Sequence, residues 1–73
     1  MNKLPTLPQL RSLARKAFCA DAVEVEVERI EYHCFSARAY VKPEMHPYIG
    51  CSDTSRRCAV RALTGALNAL IVE

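Results

Sequence analysis

Thiols and imidazoles are the side chains of this sequence best suited to catalysis or metal binding: Cys19, Cys34, Cys51, Cys58, His33 and His46. Zinc needs such ligands at spacings that close a tetrahedron, typically starting from a Cys-x-x-Cys pair, and no such pair is present. The set His33, Cys34, His46, Cys51 and Cys58 matches no common zinc module, so no metal and no cofactor are expected. No residue is marked as a nucleophile, and 73 residues leave little room for a substrate pocket. The expectation is a binding domain that performs no catalysis.

A second constellation is more informative. In Ser55-Arg56-Arg57-Cys58-Ala59-Val60-Arg61 the arginines enter the opening turn of an apolar-periodic segment. A cation there is opposed by the helix macrodipole at a cost of about 0.3–1 kcal/mol, and Asp53 offsets only part of it. The same end carries N–H groups without helical acceptors, so arginines and backbone act with one sign toward a phosphate. The competing reading leaves Arg56 and Arg57 as solvated surface paired with Asp53 or Glu44, an arrangement worth little energetically.

The elements that must hold these groups follow from periodicity. Leu10, Leu13, Ala14, Ala17 and Phe18 recur on one helical face, with Thr6 and Gln9 as a capping box and Pro8 in the first turn, which predicts a helix over about Leu7 to Ala20. Residues 23–30, Val-Glu-Val-Glu-Val-Glu-Arg-Ile, alternate with period two, and Phe35, Ala37, Ala39 and Val41 alternate inward over residues 35–41. The alternation changes phase between Glu28 and Phe35, which leaves either a tight turn or a bulged strand there. Pro43 and Pro47 break regular structure after Lys42, and a short third strand is expected over about His46 to Gly50. From Ser52 or Asp53 a second helix places Ala59, Ala62, Leu63, Ala66, Leu67 and Leu70 on one stripe, with Arg57, Arg61 and Asn68 opposite. Together these give one α+β domain spanning residues 1–73, ordered α-β-β-β-α, with two helices on one face of a small antiparallel sheet.

That arrangement sorts the charges. Net charge is only +2, yet five of the eight acids are Asp21, Glu24, Glu26, Glu28 and Glu31, while six of the ten cations, Arg11, Arg15, Lys16, Arg56, Arg57 and Arg61, fall in the two helices. With Val23, Val25 and Val27 inward, Glu24, Glu26 and Glu28 make the reverse of the sheet an acidic, wet face. The cysteines are expected to be free thiols, with Cys34 and Cys58 turned into the core, because nothing in the N-terminal sequence reads as an export signal. Tyr32, Tyr40 and Tyr48 are read as half-buried strand packing in preference to a base-stacking platform.

On the residues around Arg56 the chain resembles the double-stranded RNA-binding domain, whose last helix opens Ser-Lys-Lys-x-Ala-Lys-x-x-Ala-Ala after an aromatic-led strand and a Gly-containing turn. Phe35 leads the second strand, Gly50 stands for the turn, and arginine replaces lysine at Arg56 and Arg57. Val60 takes a position usually basic, Arg61 follows one place late, and Ala62-Leu63 stand near the alanine pair. The resemblance implies phosphate contacts across the A-form major groove from Arg56, Arg57 and Arg61, and minor-groove contacts from the first helix and the loop after the first strand. It would place Ser12, where many members have a glutamate, and His33, near the family's loop histidine, in those minor-groove contacts, with the loop shortened because His33 is only two residues before Phe35; Arg11 and Arg15 of the first helix are further candidates for nucleic-acid contact.

Two functions of different class follow. One is structured or duplex RNA bound through its phosphates. The other is a stand-alone protein-interaction module, complete between its methionine and its last helix as small phage-borne inhibitors and adaptors tend to be, whose Glu-Val-Glu-Val-Glu strand meets a basic partner or a second copy as a homodimer. No apolar run approaches the ~18 residues of a membrane span and no secretory signal is evident, so a cytoplasmic protein is expected in either case.

Overall fold

The computed structural model describes residues 4–71, in the order α1 (Leu7–Phe18), β1 (Val23–Glu31), β2 (Cys34–Val41), β3 (Tyr48–Asp53) and α2 (Arg56–Ile71). The strands form one antiparallel sheet in the order β1-β2-β3, and both helices pack on the same face of it. This is the α-β-β-β-α arrangement that the periodicities require.

The helix starts are set by side chains that satisfy otherwise orphaned donors. Thr6 N–H donates to Gln9 Oε1 at 2.8 Å and Gln9 N–H donates to Thr6 Oγ1 at 3.3 Å, which closes the capping box of α1. The far end of α1 comes two residues before the expected Ala20, because Cys19 turns left-handed at φ 54° and its N–H donates to the Arg15 carbonyl. At α2, Ser55 is the cap: its Oγ accepts from Cys58 N–H at 3.1 Å and its carbonyl from Ala59 N–H at 3.0 Å.

The hairpin of β1 and β2 combines the two possibilities left open by its sequence. Its turn is the pair Tyr32-His33, and a bulge between Arg29 and Glu31 leaves Ile30 out of the register. The third strand lies later than its expected span of about His46 to Gly50. Pro47 has no N–H to donate, so pairing begins at Tyr48, and it continues to Asp53 opposite Phe35. Gly50 therefore sits inside β3 opposite Arg38 instead of marking a turn, and a side chain there would come within 2.9 Å of the Tyr48 ring.

The core is one contiguous cluster of Leu10 and Ala14 from α1, Val23 and Val25 from β1, Ala37 and Ala39 from β2, and Ala59, Val60, Leu63 and Leu67 from α2. The buried stripe of α2 is rotated from the one the sequence predicts: Val60 is 1% exposed, while Ala62 and Leu70 face solvent. Covering Val60 removes more apolar surface from water than covering Ala62, and the sheet selects the orientation that does so. Alanines at 14, 37, 39 and 59 sit at the contacts, where their small size suits close approach of helix and sheet. No described helix is long and apolar enough to cross a membrane.

Candidate nucleic-acid interface

Arg56, Arg57 and Arg61 are all exposed: Arg57 and Arg61 lie on the solvent side of α2, while Arg56 shares the azimuth of Val60 and Leu63 and is exposed by its place at the helix start. Arg56 and Arg57 are its first two residues, and the first turn contains no acid. Asp53, the nearest carboxylate in sequence, is occupied elsewhere, since its Oδ1 accepts from Thr54 N–H at 2.7 Å and from the Thr54 hydroxyl at 3.3 Å. Neither it nor Glu44 forms an ion pair with an α2 arginine. Among the described residues, every salt bridge lies on the opposite side of the sheet.

The α1 residues divide into two groups. Ser12 is exposed and Arg11 half-buried on the middle of the helix, whereas Arg15 and Lys16 occupy its last turn. Arg15 Nε donates to the Asp21 carbonyl at 3.4 Å, which ties that side chain to the segment entering β1. Pairing of Val23 with Val41 and of Phe35 with Asp53 fixes which ends of the sheet these groups approach. The hairpin turn, with His33, lies at the end from which β3 leads into α2. Arg15 and Lys16 approach the other end. The topology thus brings Arg56, Arg57 and His33 to one end of the molecule and does not bring Arg15 there. His33 is exposed, its ring centroid 4.1 Å from that of Tyr32, and the two-residue turn gives these side chains alone to a ligand at that position.

The open face of the sheet corrects the expectation of an acidic, wet surface. Arg38 lies across β2 from Glu26, binds its Oε1 and reaches Glu28 Oε2 at 3.3 Å; Lys42 Nζ lies 3.5 Å from Glu24 Oε1. The Tyr40 hydroxyl donates to Glu26 Oε2 at 2.9 Å. That hydrogen bond foremost, followed by Arg38, holds the Glu26 carboxyl below its ordinary value, and the same bond to Glu26 raises the Tyr40 phenol. Tyr40 is buried, stacked at 6.1 Å against an exposed Tyr48 whose ring lies over Gly50, and Tyr32 is 77% exposed, so only part of the tyrosine set packs as expected. Arg38 was not distinguished by its sequence context. Its role emerges only from the register that sets it opposite Glu26. Its Nε is buried and has no hydrogen-bond partner among the described residues.

The cysteines are free, and two depart from expectation: Cys58 is exposed on α2 and Cys34 is half-buried on the open-face side of β2. Cys58 is exposed because the stripe rotates to take in Val60, and Cys34 because the inward parity of β2 belongs to Phe35, Ala37 and Ala39. Cys51 is the thiol that faces α2, and burial pushes its pKa up. No cluster of three or more metal-ligating side chains and no pocket occur among the described residues. Compared with protein-family models, with curated proteins and with solved structures, the chain matches none.

Proposed function

We propose that this domain binds structured RNA through its phosphates, presented to Arg56, Arg57 and Arg61 at the N-terminal end of α2, without reading base sequence. The observation that carries the proposal is the allocation of charge: glutamates of the sheet are engaged by Arg38 and Lys42, and the α2 arginines stand exposed without a described carboxylate in reach. Two N–H groups at the start of α2, those of Arg56 and Arg57, precede the one taken by Ser55 and add donors of the same sign. The α-β-β-β-α order and the Ser55-to-Ala59 signature, shared with the double-stranded RNA-binding domains the chain resembles, support the same reading.

The short Tyr32-His33 turn and Ser12 in place of a longer acid limit what can be added from the minor groove. Affinity then rests on the electrostatic part and falls steeply with salt. A gel-shift titration with duplex RNA at two salt concentrations tests this. Arg56→Ala combined with Arg57→Ala is expected to weaken binding and to flatten the log–log salt slope by about two units, since each phosphate contact contributes nearly one. Unchanged affinity in that double variant overturns the assignment.

A further inference from the structure

We infer that the outer edge of β1, over Val23–Glu28, is a docking strand for an extended segment of a partner protein with basic side chains at alternate positions. In the order β1-β2-β3 the first strand pairs on one side only among the described residues, so a row of its N–H and C=O groups faces no described strand. Apart from the glutamates themselves, devices that blunt an edge are missing along most of its length. There is no proline in β1, and the first inward-side charge is Arg29, where the bulge also begins. The other edge, β3, is shorter, opens directly after Pro47 and is interrupted by Gly50. Regular pairing is thus available on β1 for the six residues before Arg29.

Charge selects the occupant. Among the described residues Glu24, Glu26 and Glu28 share two cations, and both reach them from the β2 side; Glu28, 54% exposed, has a share in Arg38, at 3.3 Å. A strand added at the outer edge would lie against these carboxylates from their unneutralised side. A second copy of β1 is disfavoured: two-fold antiparallel pairing sets glutamate opposite glutamate, and a one-residue slip would turn the copy's glutamates to the apolar side of the sheet. Nucleic acid is repelled by the same carboxylates. Lysines or arginines alternating with β-branched residues meet both demands: cations over the glutamates on one face, apolar groups continuing Val23, Val25 and Val27 on the other.

The test uses the whole chain and a labelled peptide of about eight residues alternating lysine with valine, a usual strand length. Controls are a peptide of identical composition with its lysines grouped at one end and an alternating glutamate–valine peptide. Binding of the alternating lysine peptide, with new hydrogen-exchange protection at amides of residues 23–28, is expected. Glu28→Lys is expected to weaken it by about tenfold, the usual reach of one close charge pair. Glu28→Gln carries the same comparison if Glu28→Lys melts early. Equal binding of the grouped-lysine peptide, absence of the new protection, or protection of the same amides by concentration-dependent dimerisation without peptide each overturns the proposal. Arg56→Ala with Arg57→Ala leaves this binding unchanged, which separates its failure from that of the RNA reading.

Discussion

The two helices carry their cations at opposite ends, and the contrast separates charge that local structure explains from charge that it does not. In α1, Arg15 and Lys16 occupy the last turn, where the backbone dipole is negative and where Arg15 also holds the Asp21 carbonyl. Local physics accounts for them completely. In α2, Arg56 and Arg57 occupy the first turn, with no acid there to offset them and no basic residue in the last turn. Local physics opposes that pattern; the proposed phosphate contact would account for it in α2, and α1 needs none.

The largest test of this contrast concerns Val60, where the resembled signature would carry a cation. Val60→Lys buries an ammonium among Leu63, Ala59 and the sheet without a partner, and is expected to cost about 3–5 kcal/mol or more in a denaturant melt. Ala62→Lys, on the exposed side of the same helix, is expected to fold normally and to tighten RNA binding. If Val60→Lys is as stable as the wild type, the rotation assigned to α2 is wrong.

Next in size, Arg56→Ala with Arg57→Ala should lose about one to two orders of magnitude in RNA affinity at low salt, as expected for two charge-assisted contacts. Calorimetry should show its Tm kept or raised by a few degrees, because a dipole penalty is removed. The mirror variant, Arg15→Ala with Lys16→Ala, should lower Tm by a few degrees and change RNA affinity much less. Equal effects of the two pairs on binding would erase the distinction between the helices.

The smallest expected effect is on the open face. Tyr40→Phe removes the donor that most lowers the Glu26 carboxyl. Because the folded-state value is depressed, the stability Glu26 supplies is fully present above the ordinary carboxylate value of 4.5 and is lost as pH falls through the lowered one. The Tm difference between wild type and Tyr40→Phe should therefore be visible at neutral pH and shrink on acidification below that value, with RNA binding unaffected. A difference that persists undiminished in acid would assign it to packing against Tyr48 instead.

Local signals in the sequence were sufficient for the elements themselves. Thr6 and Gln9 marked one helix start, and valines alternating with glutamates defined β1 on both faces. Signals that depend on neighbouring elements were not readable. Both Val60 and Ala62 fit an apolar stripe, and only the sheet beneath α2 decides between them. Likewise, the alternation of β1 shows that its glutamates share a face, but the register of β2 is what sets Arg38 against Glu26 and turns an apparently acidic surface into a nearly balanced one. The end of β3 is not legible from the sequence because Gly50 reads as a turn residue, whereas the overlying Tyr48 ring occupies the space a side chain would need.

Arg57 and Arg61 stand one helical turn apart on the same exposed side of α2, a separation of about 6 Å between their β-carbons. If Arg57 and Arg61 take phosphates as proposed, such a pair works as a length gauge. A ligand with a single anionic group can engage one guanidinium at a time, while a chain with anions at neighbouring positions engages both and gains from the second contact without paying again for its own capture. Nucleoside monophosphates should therefore compete poorly at this surface, and oligomers should begin to compete at the length that first spans the two arginines.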